Sequence, residues 1–268
     1  MDWSLIPVFL AIGCAVGFIA GLLGIGGGMT MVPLLTLIFA HERFPEQHIL
    51  HMAVATSLAT IVFTSISSLR EHAAHDAVVW PIVWRLAPGI IAGSLAGPQI
   101  VGGMSTSLLS GVFAAFSGLT ATRLLLNLKP KAVRELPGTA GLFAVGSAIG
   151  VLSSMVGAGG AFLSVPFMTA CNVRMHKAVA TSAALGLPIA VAGTLGFVVA
   201  GWRQSGLPPY TVGFIYLPGL IGIVAASMLV APAGARLAHR WPVSRLRRAF
   251  AILMYLISAF FVWKAVTG

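Results

Sequence analysis

Ten apolar stretches follow one another along the chain with little between them, at about 5–24, 28–40, 48–69, 80–102, 107–126, 138–157, 161–171, 177–201, 209–231 and 246–266. Several reach the roughly 20 residues that a helix needs to cross a bilayer. A single water-soluble core cannot hide so much apolar surface. Of the 268 residues 58% are hydrophobic and 8% charged, where an ordinary soluble domain carries roughly 25% charged residues. Disorder is excluded too, because it needs low hydrophobicity and many charges. The runs are continuous rather than alternating, which argues against a transmembrane β-barrel. The fold class is an all-α polytopic membrane protein with one membrane domain.

The order of these stretches repeats. Gly17, Gly24, Gly26, Gly27, Val32 and Pro33 recur as Gly150, Gly157, Gly159, Gly160, Val165 and Pro166. His51-Met52-Ala53-Val54-Ala55-Thr56-Ser57 recurs as His176-Lys177-Ala178-Val179-Ala180-Thr181-Ser182, and Ala87-Pro88-Gly89 is echoed more weakly by Leu217-Pro218-Gly219. Such ordered matches mark a duplication. Residues 1–126 form a first repeat, 127–137 a basic cytoplasmic linker and 138–268 a second repeat. Each repeat opens with a helix broken at glycines. Glycine weakens a helix interior, and the run Gly26-Gly27-Gly28 unwinds it. Spaced glycines can simply pack helices together, but a contiguous cluster followed by Val-Pro fits an unwound segment better. Within a bilayer such backbone survives only where protein or a water-filled cavity shields it. Paired broken helices in two halves are the best sequence pointer to a transporter's binding site.

Charge decides between two topologies. The 16 Lys and Arg exceed the 6 Asp and Glu, a formal net charge of +10. In a membrane chain that excess marks cytoplasmic loops rather than a nucleic-acid partner. If each broken segment crosses fully, the basic residues divide evenly between the two faces. If each is instead a re-entrant hairpin, the second repeat is inverted. Arg43, Arg203 and Lys264 then lie on one face and all the other Lys and Arg on the opposite face. Only the uneven split agrees with the positive-inside rule. The inverted arrangement is preferred, with both termini outside, although residues 5–24 must then tilt or begin in the interface near Trp3. Met1-Asp2-Trp3-Ser4 lacks a basic n-region and a cleavage site, so the N-terminus is expected to stay in the mature protein.

At the centre of such a fold two unwound glycine segments face each other. The helices that start at Gly28 and Ala161 offer free backbone N–H groups and a positive dipole end, which bind anions without a charged side chain. No Asp or Glu lies deep in a spanning stretch, as a cation carrier would require. The substrate-binding candidates are Gly26, Gly27, Gly28, Gly159, Gly160 and Ala161, with the hydroxyls of Thr56, Ser57, Thr181 and Ser182. In the first repeat the hydroxyls continue as Ser57, Thr60, Thr64 and Ser67, on one helical face. Helix–helix hydrogen bonding is the competing role for them. Histidine is the side chain suited to switching charge near physiological pH, so His51 and His176 are candidates for gating or coupling, or are plain interfacial histidines. Arg85 either snorkels to the interface or attracts substrate. Cys14 and Cys171 lie in apolar stretches and suggest neither a disulfide framework nor a metal cluster. His48 with His51, and His72 with His75 and Asp76, have metal-like spacing, but the inverted topology separates the pairs. No catalytic site, metal or cofactor is expected. HExxH and GxSxG are absent, and the glycine run lacks the βαβ context of a nucleotide loop.

With the glycine break, the Val-Pro and the repeated Ala-Val-Ala-Thr-Ser in both halves, the chain resembles the TauE/SafE sulfite exporter family over nearly its whole length. Ala55 and Ala180 stand where members often carry Gly before Thr-Ser. The resemblance implies a secondary transporter, an exporter of sulfite, organosulfonates and related anions, working by alternating access in the bacterial cytoplasmic (inner) membrane. Its partners would be a small anionic sulfur-containing substrate, the lipid bilayer and, as a candidate, a second copy of the chain. The rival class is a non-transporting scaffold or enzyme subunit, which would need no polar backbone break at the midplane.

Overall fold

In the computed structural model, residues 5–23, 28–74, 77–126, 135–202, 204–238 and 243–267 are described. They form ten helices and one hairpin: α1 (Leu5–Leu23), α2 (Gly28–His41), α3 (Glu46–Ala74), α4 (Trp80–Gly102), α5 (Thr106–Leu125), α6 (Thr139–Val156), α7 (Ala161–Ala170), α8 (Met175–Gly201), β1 (Thr211–Val212), β2 (Ile215–Tyr216), α9 (Leu217–Ala238) and α10 (Val243–Thr267). Among the described residues, five helices are long and apolar enough to cross a membrane: α3 over Glu46–Arg70, α5, α6, α8, and α10 over Arg248–Val266. The 23 residues of α4 reach about 34 Å at the helical rise of about 1.5 Å per residue. The protein is an all-α polytopic membrane protein. Exposed Trp80 and Trp84, stacked at 6.2 Å, stand at the start of α4, and exposed Trp202 and Trp263 stand near the ends of α8 and α10. Tryptophans gather at membrane–water interfaces in this way.

Every apolar stretch contains a helix, with one correction. The stretch from 209 begins as a hairpin, Thr211 pairing with Tyr216 and Val212 with Ile215, and turns helical only at Leu217. Pro208 and Pro209 disfavour helical backbone before them. Thr211, Val212 and Ile215 are β-branched and suit strands, and Gly213 makes the turn at φ +56°.

Packing runs between the halves. α1 lies parallel to α9, with Gly13 against Ile223 and Gly17 against Ser227. α4 lies parallel to α6, with Gly89 against Phe143, Gly93 against Ser147 and Gly97 against Ser154. A Cβ on Gly13 would stand 2.8 Å from the Ile223 carbonyl oxygen, and one on Gly146 2.6 Å from that of Leu86. Gly17 and Gly150 meet the carbonyls of Ser227 and Ile90 in the same manner. Backbones approach this closely only where small residues allow it. Ile223 of α9 thus meets Gly13 of α1 much as Leu86 of α4 meets Gly146 of α6.

α4 also lies parallel to α8, with Gly102 against Ala200 and the Gln99 amide donating to the Gly196 carbonyl at 3.0 Å, whereas α3 with α8 and α5 with α10 are antiparallel. In α3 and α8, Leu58 lies against Gly193 and Ser65 against Gly186. In α5 and α10, the Ser107 hydroxyl donates to the Ala265 carbonyl at 2.6 Å, the Phe113 and Phe261 rings are 4.4 Å apart, and Thr122 and Tyr255 share a hydrogen bond of 2.8 Å. The ends of α2 and α7 also correspond. Each is followed by a left-handed residue, Arg43 (φ 57°) or Asn172 (φ 63°). In each the next N–H turns back, Phe44 to the Phe39 carbonyl at 2.9 Å and Val173 to the Met168 carbonyl at 3.0 Å.

Candidate functional site

The site forms where the α6–α7 break meets the start of α2. α6 ends at Gly157, φ +65°, where the Ala158 N–H donates to the Ser153 carbonyl at 2.9 Å. This helix-ending turn suits a residue without a Cβ. Gly160, φ +79°, then opens α7, and its carbonyl accepts from Leu163 at 3.1 Å and Ser164 at 2.9 Å. The first N–H groups of any helix lack partners within it. Here those of Gly159, Gly160, Ala161 and Phe162 meet no acceptor among the described residues. Beside them lies the Ser153 hydroxyl, which is buried and has no hydrogen-bond partner among the described residues. It stands 3.4 Å from the position that a Cβ on Gly160 would take.

Serines from the long helices hold this break together. Ser57 of α3 reaches the Gly28 carbonyl at 3.3 Å and the Gly157 carbonyl at 3.2 Å, so one hydroxyl proton is shared between the two halves. Ser182 of α8 shares a hydrogen bond of 2.7 Å with Ser164, whose hydroxyl lies 2.9 Å from the Gly160 carbonyl. Ile61 and Ile189 line the same space. Gly28, Ser57, Gly159, Gly160, Ala161 and Ser182 therefore come together, while Gly26 and Gly27 lie outside the described residues. Ser153 and Ser164 belong to the site but had no signal in the sequence. Their counterparts at the spacing of the glycine repeat are Ala20 and Met31, so no echo marks them.

Four candidates are engaged elsewhere. The Thr56 hydroxyl oxygen accepts the Tyr216 N–H at 3.1 Å, and that of Thr181 accepts the Val79 N–H at 3.0 Å. Thr60 and Thr64 donate to carbonyls of their own helix, those of Thr56 and Ile61. His51 is buried, with Nε2 2.9 Å from the Val101 carbonyl oxygen and its ring stacked on Phe214 at 5.4 Å. That carbonyl can only accept, so Nε2 carries the proton. His48 is turned edge-on to it at 6.2 Å. His176 is exposed in the first turn of α8, and Arg85 is exposed in the second turn of α4. Among the described residues no carboxylate, lysine or arginine is buried.

A membrane-embedded bundle in which a broken helix meets the other half over buried hydroxyls, and in which glycines bring helices of opposite halves into backbone contact, has the build of a membrane transporter. The profile of the family described as "Sulfite exporter TauE/SafE" matches residues 9–261. The chain belongs to this family. It is 34% identical over 261 residues to a "Probable membrane transporter protein" of Haemophilus influenzae, covering 96% of this chain and 97% of that one. A "Probable membrane transporter protein" of Bacillus subtilis is 28% identical over 260 residues, with 94% of each chain covered. One of Methanocaldococcus jannaschii is 26% identical over 232 residues, covering 85% of this chain and 82% of that one. No solved structure matches the chain. The protein is a multi-pass membrane transporter, not an enzyme.

Proposed function

We propose that the protein exports small sulfur-containing anions, such as sulfite or organosulfonates, across the bacterial inner membrane by alternating access. The observation that carries this reading is the start of α7. Backbone N–H groups of Gly159 to Phe162 lie there in a buried to half-buried setting, next to the Ser153 hydroxyl, which has no partner among the described residues. Donors at a helix N-terminus favour an anion, and no buried carboxylate among the described residues opposes it. The sulfur chemistry comes from the description of the family.

Alternating access is read from an inverted duplication, with 1–126 and 138–268 as the repeats and 127–137 as the linker. Two repeats related by an axis in the membrane plane must place equivalent helices antiparallel. α3 with α8 and α5 with α10 meet in that way, and the exchanged pairs α1 with α9 and α4 with α6 are parallel. α2 has 14 residues and α7 has 10, and a step of four, close to the helical period of about 3.6 residues, keeps the same face inward. The test is thermal unfolding of the purified protein against sulfite, sulfoacetate, taurine, phosphate and chloride. A bound substrate raises the midpoint, so a rise with the sulfur oxyanions supports the reading. A folded protein indifferent to the whole panel refutes it.

A further inference from the structure

Thr56 and Thr181 occupy the same place in their halves, and each is fully buried. Each hydroxyl oxygen receives a backbone N–H from the opposite half. Thr56 of α3 holds Tyr216, the residue just before α9, and Thr181 of α8 holds Val79, the residue just before α4. Both helices then continue with a proline at their second position, Pro81 or Pro218. Such a start has no N–H to offer at that proline. The N–H one step before the helix thus becomes the donor that ties the segment down. The two ties lie toward opposite faces, because α3 and α8 are antiparallel and each threonine sits nearer the start of its helix than its end.

The residues next to the two threonines reach the glycine break, Ser57 through the Gly157 carbonyl and Ser182 through Ser164, so each tied segment lies close to it. On the face where α3 begins, the hairpin carries Phe214 onto His51, His48 and Phe197, at 5.4, 5.5 and 6.3 Å. There Tyr216 packs on Phe9, Phe39 and Phe44 at 5.8, 5.7 and 5.2 Å. The backbone of Gly213 also lies directly on Val198 and that of Gly201 on Phe214. On the face where α8 begins, the corresponding segment is residues 77–79, half-buried and without strand structure. The first closure is broad and aromatic; the second is short.

We infer that Thr56 and Thr181 are the paired latches of the two gates, Thr56 closing the outer approach and Thr181 the cytoplasmic one, rather than contacts to the substrate. This rests on the alternating-access reading. It does not depend on which anion is carried, so the two can fail separately. With Thr56 released, Tyr216 and the hairpin swing away and the break opens outward. With Thr181 released, Val79 and the start of α4 move and the break opens to the cytoplasm. The threonines act on transport through the segments they hold and are positioning residues.

The experiment uses the full chain with Cys14→Ser and Cys171→Ala, and a single reporter Gly159→Cys. It is labelled with a membrane-impermeant thiol reagent in vesicles of each orientation, without substrate. Thr56→Val keeps the shape of the side chain and removes the acceptor. It is expected to speed labelling from the outer face about two- to twelvefold, the range set by one neutral hydrogen bond, and to leave the cytoplasmic rate unchanged. Thr181→Val does the reverse, and Thr56→Ser and Thr181→Ser restore the parent rates. A purely structural role would lower the unfolding midpoint without sidedness. Acceleration from one face by both valine variants, from both faces by either, or from neither overturns the inference. Failure of the valine variants to fold, repeated in Thr56→Ala and Thr181→Ala, also overturns it.

Discussion

Gly159 and Gly160 are neighbours, yet alanine separates binding from folding at the first and not at the second. At Gly159 the backbone is outside the left-handed region, and among the described residues an added Cβ meets Ile61 Cγ2 alone, at 3.8 Å, an ordinary contact. Removing a glycine's freedom from the unfolded chain is worth about 0.4–1 kcal/mol of added stability where the fold permits it. Gly159→Ala should therefore unfold at the parent temperature or slightly above. The methyl group enters the space where an anion would approach the N–H groups of residues 159–162. A hydrogen bond to a charged group contributes about 1.5–3 kcal/mol, so losing one weakens anion binding roughly 10- to 150-fold at about 1.36 kcal/mol per tenfold. Gly160→Ala differs, because φ is +79° and the new Cβ runs into Ile189 Cδ1. A non-glycine residue held there costs about 1–3 kcal/mol, and the unfolding midpoint falls together with binding. Calorimetric titration with sulfite or sulfoacetate, paired with thermal unfolding, reads both quantities. Parent-like anion affinity in Gly159→Ala would refute the backbone cradle.

Ser57→Ala removes the hydroxyl shared by the Gly28 and Gly157 carbonyls. It should lower stability by about 0.5–1.5 kcal/mol, measured by denaturant unfolding, and weaken anion binding in the same preparation. Gly13→Ala and Gly146→Ala push a Cβ onto the Ile223 and Leu86 carbonyls. Each should cost about 1–3 kcal/mol as overpacking does, and a neutral thermal melt for either would deny the close pairing of α1 with α9 or of α4 with α6. Single cysteines at Ala132 and Gly234 should label only from the cytoplasm and one at Ser205 only from outside. Labelling of positions 132 and 234 from opposite faces would restore parallel repeats.

The helices were legible because membrane spans are written as continuous apolar runs, and the glycine break because Gly157, Gly159 and Gly160 cluster within four residues shortly before Val165-Pro166. The inverted reading also had a basis in sequence, the uneven placement of Arg and Lys. Thr56 and Thr181 were marked by the repeat, but the sequence could not say what they touch. Their partners, Tyr216 and Val79, belong to the opposite halves, and a backbone N–H carries no side-chain signal. The hairpin before α9 was hidden for a different reason. Thr211 to Tyr216 is as apolar as the helix it precedes, and a short apolar run does not by itself separate strand from helix. Ser153 and Ser164 were silent because their counterparts Ala20 and Met31 carry no hydroxyl.

The most direct test of the central claim is flux. Purified protein in sealed liposomes loaded with sulfite, sulfoacetate or taurine, in separate preparations, is followed for release of the solute against protein-free liposomes. Saturable release of at least one sulfur oxyanion, lost in Gly159→Ala and kept in Gly111→Ala, where a Cβ meets open space, is the expected result. No release of any sulfonate or oxyanion by protein that unfolds cooperatively would contradict it.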